Sequence, residues 1–159
     1  METKQLENLL QHHPATRHSF GGVLALDQLP IRATKTCYVI NLDESREPGS
    51  HWVEVYFGRS GIGEYFDSYG LPPYPITIRN LLSDNSVTWK YNSKQLKDVR
   101  TTVCGQYCAF YLIMRSSGIS MDRFISQFSN SRFLTNDRYV RNFIYNMLKF
   151  VLPLYQPKV

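Results

Sequence analysis

Apolar positions recur along this chain with two different periods, and the switches between them outline its elements. Leu6, Leu9 and Leu10 are spaced as on one face of a helix within Glu2–Gln11, which predicts a short amphipathic helix ending before Pro14. From His12 to Arg32 neither period holds. Gly21-Gly22 marks a turn there, and Phe20, Val23, Leu24 and Leu26 read as apolar anchors of an irregular loop. Thr36–Leu42 is β-branched and aromatic, the composition of a buried strand. After the polar loop Asp43–Ser50, the segment His51–Phe57 alternates strictly. His51, Val53, Val55 and Phe57 share one face, and Trp52, Glu54 and Tyr56 the other. Arg59–Gly63 is a turn cluster and Glu64–Asp67 the returning strand of a hairpin. Such a hairpin sets His51, at the start of one strand, beside Asp67, at the end of the next.

The second half is mostly helical in pattern. Gly70-Leu71-Pro72-Pro73-Tyr74-Pro75 is a rigid connection, and proline near the first turn predicts a short helix over Ile76–Ser83. Ser86–Tyr91 reads as a strand and Asn92–Thr102 as a polar loop. The central helix is expected from Cys104 to about Ser116, nearly devoid of polar surface, with Gly118 as its C-terminal cap. Ser120 is placed to cap Met121–Phe128. Thr135 or Asn136 is placed to cap a last helix, striped by Val140, Phe143, Ile144, Met147 and Val151 and stopped by Pro153.

Composition narrows the class. The 159 residues fit one domain, 1–159, with enough apolar and aromatic content for a real core. The net charge of +5 favours polyanions without defining a nucleic-acid binder, because the cations are scattered. Cys37, Cys104 and Cys108 are too few for a disulfide framework, which points to a reducing compartment. The polar opening segment is no signal peptide, and no apolar run is long enough to span a bilayer, so a soluble protein without a membrane partner is expected. His12, His13 and His18 share no spacing with cysteines or carboxylates, and they read as exposed loop residues rather than metal ligands.

The chemistry centres on Val103-Cys104-Gly105-Gln106-Tyr107-Cys108. A cysteine in the first turn of a helix meets unpaired N–H groups and the positive end of the dipole, which favour the thiolate. Cysteine catalysis also needs a histidine as base and a group to orient it. His51 and Asp67 are the right types in suitable places, and Gly105 leaves room for backbone N–H groups to approach an oxyanion. Each residue also has an ordinary reading. A helical cysteine is more often core (a reading that suits Cys108 better than Cys104), and the aspartate could simply start a turn. Spacing alone leaves these readings side by side.

The blocks Gly49-Ser50-His51-Trp52-Val53, Tyr65-Phe66-Asp67-Ser68-Tyr69-Gly70 and Cys104-Gly105-Gln106-Tyr107-Cys108, in this order, resemble the adenovirus protease (adenain) family. The pattern is most similar to the short proteases of Polinton/Maverick-type elements and related DNA viruses. The resemblance implies an α+β, papain-like fold of the type shared with ubiquitin-like-protein proteases, its central helix packed on a mixed sheet. It implies Cys104 as nucleophile, His51 as general base and Asp67 as the orienting acid. Trp52 would pack near the imidazole and favour its charged form. The implied activity is that of a thiol endopeptidase (hydrolase), cleaving capsid and core precursors through a thioester during virion maturation. The virion and the host cell nucleus are the implied locations, and a monomer is expected.

Two departures from the family pattern stand out. The glutamine that serves the oxyanion hole seven positions before the nucleophile is replaced by Lys97, and Gln95 lies two residues earlier. Gln95, the Lys97 ammonium, or backbone N–H groups around Gly105 are the alternative donors. No cysteine lies in Asn85–Tyr91 to pair with a peptide cofactor. No cofactor is therefore required, any peptide cofactor is unidentified, and DNA stimulation stays open because of the basic charge. Two alternative functions accompany the main one: a protease or isopeptidase for ubiquitin-like proteins, and a catalytically weakened relative acting as a DNA- or capsid-binding module.

Overall fold

A computed structural model describes residues 1–151 and Pro153; the expected domain boundary at 159 lies outside the described residues. Five strands form one mixed sheet in sequence order: β1 (Phe20–Ala25), β2 (Cys37–Asn41), β3 (Trp52–Phe57), β4 (Ile62–Phe66) and β5 (Thr88–Tyr91). The β1/β2 and β4/β5 pairs are parallel; β2/β3 and β3/β4 are antiparallel. The helices are α1 (Thr3–His12), α2 (Ile76–Asp84), α3 (Cys104–Ser116), α4 (Met121–Ser126) and α5 (Phe133–Val151).

Strand alternation divides the core into two layers. Cys37, Val39, Trp52, Tyr56 and Phe66 face α3 and the large core it shares with α1, α4 and α5. Tyr38, Ile40, Val53, Val55 and Tyr65 face the smaller core under α2, built on Ile78, Leu81 and Leu82. The helical side is rich in aromatic contacts: Phe66 stacks on Tyr111 at 4.5 Å and Phe110 on Phe143 at 3.9 Å, while Phe124 meets several rings edge-on. Pairs of this kind add about 0.5–1.5 kcal/mol each beyond the area they bury. Gly118, at φ +95°, closes α3 as expected: its N–H reaches Arg115 O and the next N–H reaches Met114 O, satisfying carbonyls the helix leaves open.

The structure corrects several boundaries. The stretch from His12 to Arg32 is not irregular throughout, since it holds β1. The glycine pair hid that strand. A Cβ on Gly21 would lie 2.2 Å from the Tyr38 ring, and Gly22 at φ +133° sits where the β1/β2 register shifts. The two glycines therefore mark a bulge over a crossing ring rather than a turn. His12 belongs to the last turn of α1 rather than to a loop. Helix α4 ends two residues before Phe128. Helix α5 begins at Phe133, ahead of both expected caps. Asn136 is buried within α5, where its amide accepts from Ser129 N and donates to Ser129 O and Leu96 O, pinning two loops to the helix.

The middle of the sheet carries an unusual polar group. Glu64 on β4 accepts from Tyr111 Oη and from Arg115, whose Nε lies 3.0 Å away. Glu54 on β3 is fully buried, and neither carboxyl oxygen has a hydrogen-bond partner among the described residues. Burial, reinforced by the neighbouring Glu64 charge, pushes the Glu54 carboxyl well above the carboxylate range and keeps it protonated.

Candidate active site

Where the sheet ends, the start of α3 meets the chain entering β3. Cys104 is the first residue of α3, and Val103 occupies the cap position. Helix geometry leaves the N–H groups of this first turn without intrahelical acceptors, a setting that favours negative charge. His51 immediately precedes β3, and Asp67 immediately follows β4. The antiparallel register brings them together, with His51 Nε2 2.7 Å from Asp67 Oδ1. Both side chains are largely shielded, 14% and 4% exposed. With Nε2 committed to Asp67, Nδ1 is the ring nitrogen left to serve Cys104.

Asp67 is itself held rigidly. Its N–H donates to Asn92 Oδ1 at 2.9 Å, and Asn92 Nδ2 donates to its carbonyl. The Tyr69 N–H reaches back to the same Oδ1 that meets His51, at 2.8 Å. The turn closes with Gly70 N on Asp67 O, and Ser68 O accepts from both Leu96 N and Lys97 N. Gly70 is required twice over: its φ is +72°, and a Cβ there would lie 2.5 Å from the backbone of Lys94. An aspartate that could have been a mere turn former thus does both jobs, starting the turn and holding the imidazole.

The electrostatics follow from these contacts. Burial opposes the charged forms of both His51 and Cys104, and in both it is outweighed. For His51 the bond to Asp67, the facing Cys104 and the two negative charges raise the imidazolium to about 9. For Cys104 the facing His51, a backbone hydrogen bond from Trp52 and the charges of His51 and Lys97 bring the thiol below its ordinary value. Both shifts favour a thiolate facing an imidazolium. Cys108, one turn along, is fully buried, donates to Trp52 O at 3.4 Å, and is pushed well above the thiol range by burial. Cys37 is likewise driven by burial to about 12.

The remaining expected residues take definite positions. The ring stacked on His51 is Tyr69, at 4.7 Å. Trp52 turns its indole toward Gly105, where a Cβ would lie 2.3 Å from the six-membered ring, so glycine is needed there for the packing. Lys97 is 1% exposed. Its ammonium donates to Tyr69 Oη at 3.0 Å, to Asp98 O at 2.7 Å and to Thr101 O. Those contacts use all three of its donors. Gln95 Nε2 donates to Lys97 O at 2.9 Å. The Lys97 ammonium is therefore fully occupied, and Gln95, whose amide turns to the Lys97 carbonyl, does not line the cleft that holds Cys104; the backbone N–H groups of Cys104 and Gly105 are the donors at hand. Cys104, His51, Trp52, Tyr69 and Lys97 all line one open cleft of about 660 Å³, flanked by Glu2, Gly49 and Thr101.

Sequence reasoning missed Tyr69 and Asn92. Tyr69 lies inside the Tyr65–Gly70 block without a role of its own there, and Asn92 falls in the segment expected to be a polar loop. A signal for Tyr69 was present, an aromatic two residues after the acid; Asn92 had none. Among the described residues no group of three or more histidines, cysteines or carboxylates could hold a metal ion, and no helix is long and apolar enough to cross a membrane.

No protein-family model matches the chain. In sequence it is similar to a curated cysteine protease of African swine fever virus (pS273R), with 32% identity over 99 residues, covering 55% of this chain and 36% of the viral protein. The chain thus spans little more than a third of the length of that relative. In structure it is similar to the crystal structure of the pS273R protease, with a TM-score of 0.59 and 20% identity, over 87% of this chain and 65% of the other. The fold is accordingly the papain-like α+β arrangement expected from the sequence, a mixed sheet packed against the helix that begins at Cys104.

Proposed function

We propose that this chain is a cysteine endopeptidase acting on viral structural precursors. The observation that carries the reading is Cys104 at the head of α3, facing an imidazole whose far nitrogen is held 2.7 Å from Asp67, all within an open cleft. The Cys104 thiolate attacks the scissile carbonyl carbon. The developing oxyanion is received by the N–H groups of Cys104 and Gly105. His51 gives its proton to the departing amine, which leaves a thioester. Water, deprotonated by His51, then releases the acid and restores the thiolate. Asp67 orients the imidazole and stabilises its charge. Tyr69 and Lys97 act as supports: the ring lies over His51, and the ammonium ties that ring to the loop that borders the cleft.

The similarity to a viral cysteine protease supports this choice over a ubiquitin-like-protein protease. Contact with DNA has one specific observation behind it. Arg138, Arg141 and Lys149 are exposed along α5, and its one acidic residue, Asp137, is buried. The experiment for the main reading is turnover of capsid-precursor peptides together with labelling by a peptide vinyl sulfone. Labelling and turnover that vanish in Cys104→Ala and persist in Cys108→Ala are expected. Absence of both in the wild-type protein, with and without added DNA, would leave only the non-catalytic reading.

A further inference from the structure

The connection between β4 and α2, Leu71-Pro72-Pro73-Tyr74-Pro75, has no part in the chemistry above, and its conformation is dictated locally. Proline fixes φ at three of the five positions. Leu71, Pro72 and Tyr74 each precede a proline and are thereby driven out of the helical region. The peptide bonds of this segment are all trans, and Pro75 lies at φ −63°, ψ 130°, the polyproline II region. Burial repeats with the period of three that such a helix has. Leu71 and Tyr74 form an exposed edge (46% and 70%), Pro72 and Pro75 a half-buried edge, and Pro73 alone is buried. No carbonyl from Leu71 to Tyr74 accepts a backbone hydrogen bond among the described residues.

Both ends are anchored. Gly70 is locked against the Lys94 backbone, and the Pro75 carbonyl accepts from Ile78 N and Arg79 N at the start of α2. The segment is therefore a rigid left-handed rod about 15 Å long. It shows one edge with two large apolar side chains and a second edge with two prolines, and the carbonyls of Leu71 to Tyr74 accept no backbone hydrogen bond among the described residues. Ile76 extends the exposed apolar surface at 59%.

From this we infer that Leu71–Pro75 is a docking ligand for a protein domain whose aromatic-lined groove reads polyproline II segments. Such grooves take a proline edge between aromatic rings and bond the ligand's carbonyls, and they favour ligands that need no ordering on binding. The fold supplies each of these features. The inference does not depend on the protease reading.

The test uses the full chain carrying Cys104→Ala, so that no probe domain is cleaved, titrated against a panel of purified WW and SH3 domains. Saturable micromolar binding to a panel member is expected. Truncating a buried anchor at an interface costs at least about tenfold in affinity. Tyr74→Ala and Pro72→Ala should each weaken binding by that much, and Leu134→Ala, an exposed apolar residue on α5, should leave it unchanged. Leu71→Ser serves as a second exposed variant if Tyr74→Ala lowers the melting temperature. Three results would overturn the inference: no panel member binds, binding is indifferent to Tyr74 and Pro72, or a peptide of residues 70–77 binds while the folded chain does not. Sedimentation showing self-association that Tyr74→Ala abolishes, with no domain bound, would assign the surface to a second copy and overturn it equally.

Discussion

Two clusters of thiols and carboxyls meet α3 one helical turn apart, at Cys104 and at Cys108, and they behave in opposite ways. At the sheet's end, beside Asp67, Cys104 and His51 are both shifted toward their charged forms: the thiol falls, and the imidazolium rises to about 9. In the sheet's middle, Cys108, Cys37 and Glu54 are all pushed up by burial and kept neutral. Burial works against charge in both places. The difference lies in partners. The end of the sheet supplies a helix start, a turn whose Tyr69 N–H donates to Asp67, and an imidazole. The middle offers Glu54 no hydrogen bond among the described residues. Residue type does not set the chemistry here; position relative to the ends of the elements does.

The sharpest way to break this comparison is to exchange the thiols' fates. Cys104→Ala should lower peptide turnover by about 10⁶, the scale of losing a nucleophile. Cys108→Ala should leave turnover within a few fold and lower thermal stability by an amount set by the small cavity it leaves. Equal losses in steady-state kinetics would erase the distinction.

Next in size is the acid. Asp67→Asn keeps the shape but removes the charge that holds the imidazolium, and a loss of about 10⁴ in kcat is expected by analogy with other orienting acids. It should also lower the alkaline limb of the pH–rate profile, which His51 sets near 9 in the wild-type protein. The sign follows from linkage: a raised imidazolium contributes stability that is complete below its unfolded value of 6.5 and is lost as pH rises through about 9. The lowered Cys104 thiol acts oppositely, with its contribution present above the ordinary thiol value and lost as pH falls through the folded one.

Lys97→Met keeps the length of the side chain and removes three donors, so Tyr69 and the loop at Asp98–Thr101 lose their tie. Misplacement on the ångström scale can cost up to about 10²-fold, and kcat should fall by up to that amount. A direct oxyanion donor would cost 10²–10³. The two roles separate by partner: if Lys97 is a support, Tyr69→Phe, which deletes only the hydroxyl, should reproduce part of the Lys97→Met loss, and a fully active Tyr69→Phe would argue against it.

The smallest effect belongs to the interior cluster. Glu54 is protonated when folded, so the wild-type protein should lose stability as pH rises from its unfolded value of 4.5 through its raised folded value. Glu54→Gln should flatten that slope in chemical denaturation and leave turnover near wild type. An unchanged slope would mean that the carboxyl finds a partner in solution.

Much of this was legible in the sequence because it rests on local rules. Alternation in His51–Phe57 set the two faces of β3, the hairpin put His51 by Asp67, and the cap logic placed Cys104 on the first turn of α3 and Gly118 after its last. What stayed hidden depends on contacts between distant segments. Strand β1 was obscured by glycines whose reason is the Tyr38 ring. Asn92 acts through its amide on a residue 25 positions away, and Lys97 is explained only by the loop that folds around its ammonium. Gly105 was expected for its open approach to an oxyanion, yet the Trp52 indole alone is enough to demand it.

The most direct measurement is the rate of Cys104 alkylation by iodoacetamide as a function of pH, followed by peptide mass spectrometry in wild-type protein and in His51→Ala. A thiolate held by an imidazolium should react at a nearly constant rate across neutral pH, with no rise until about pH 9, while Cys37 and Cys108 stay unmodified. In His51→Ala the neutral plateau should disappear. A wild-type rate that climbs only through the ordinary thiol range, and does so identically in His51→Ala, would contradict the account.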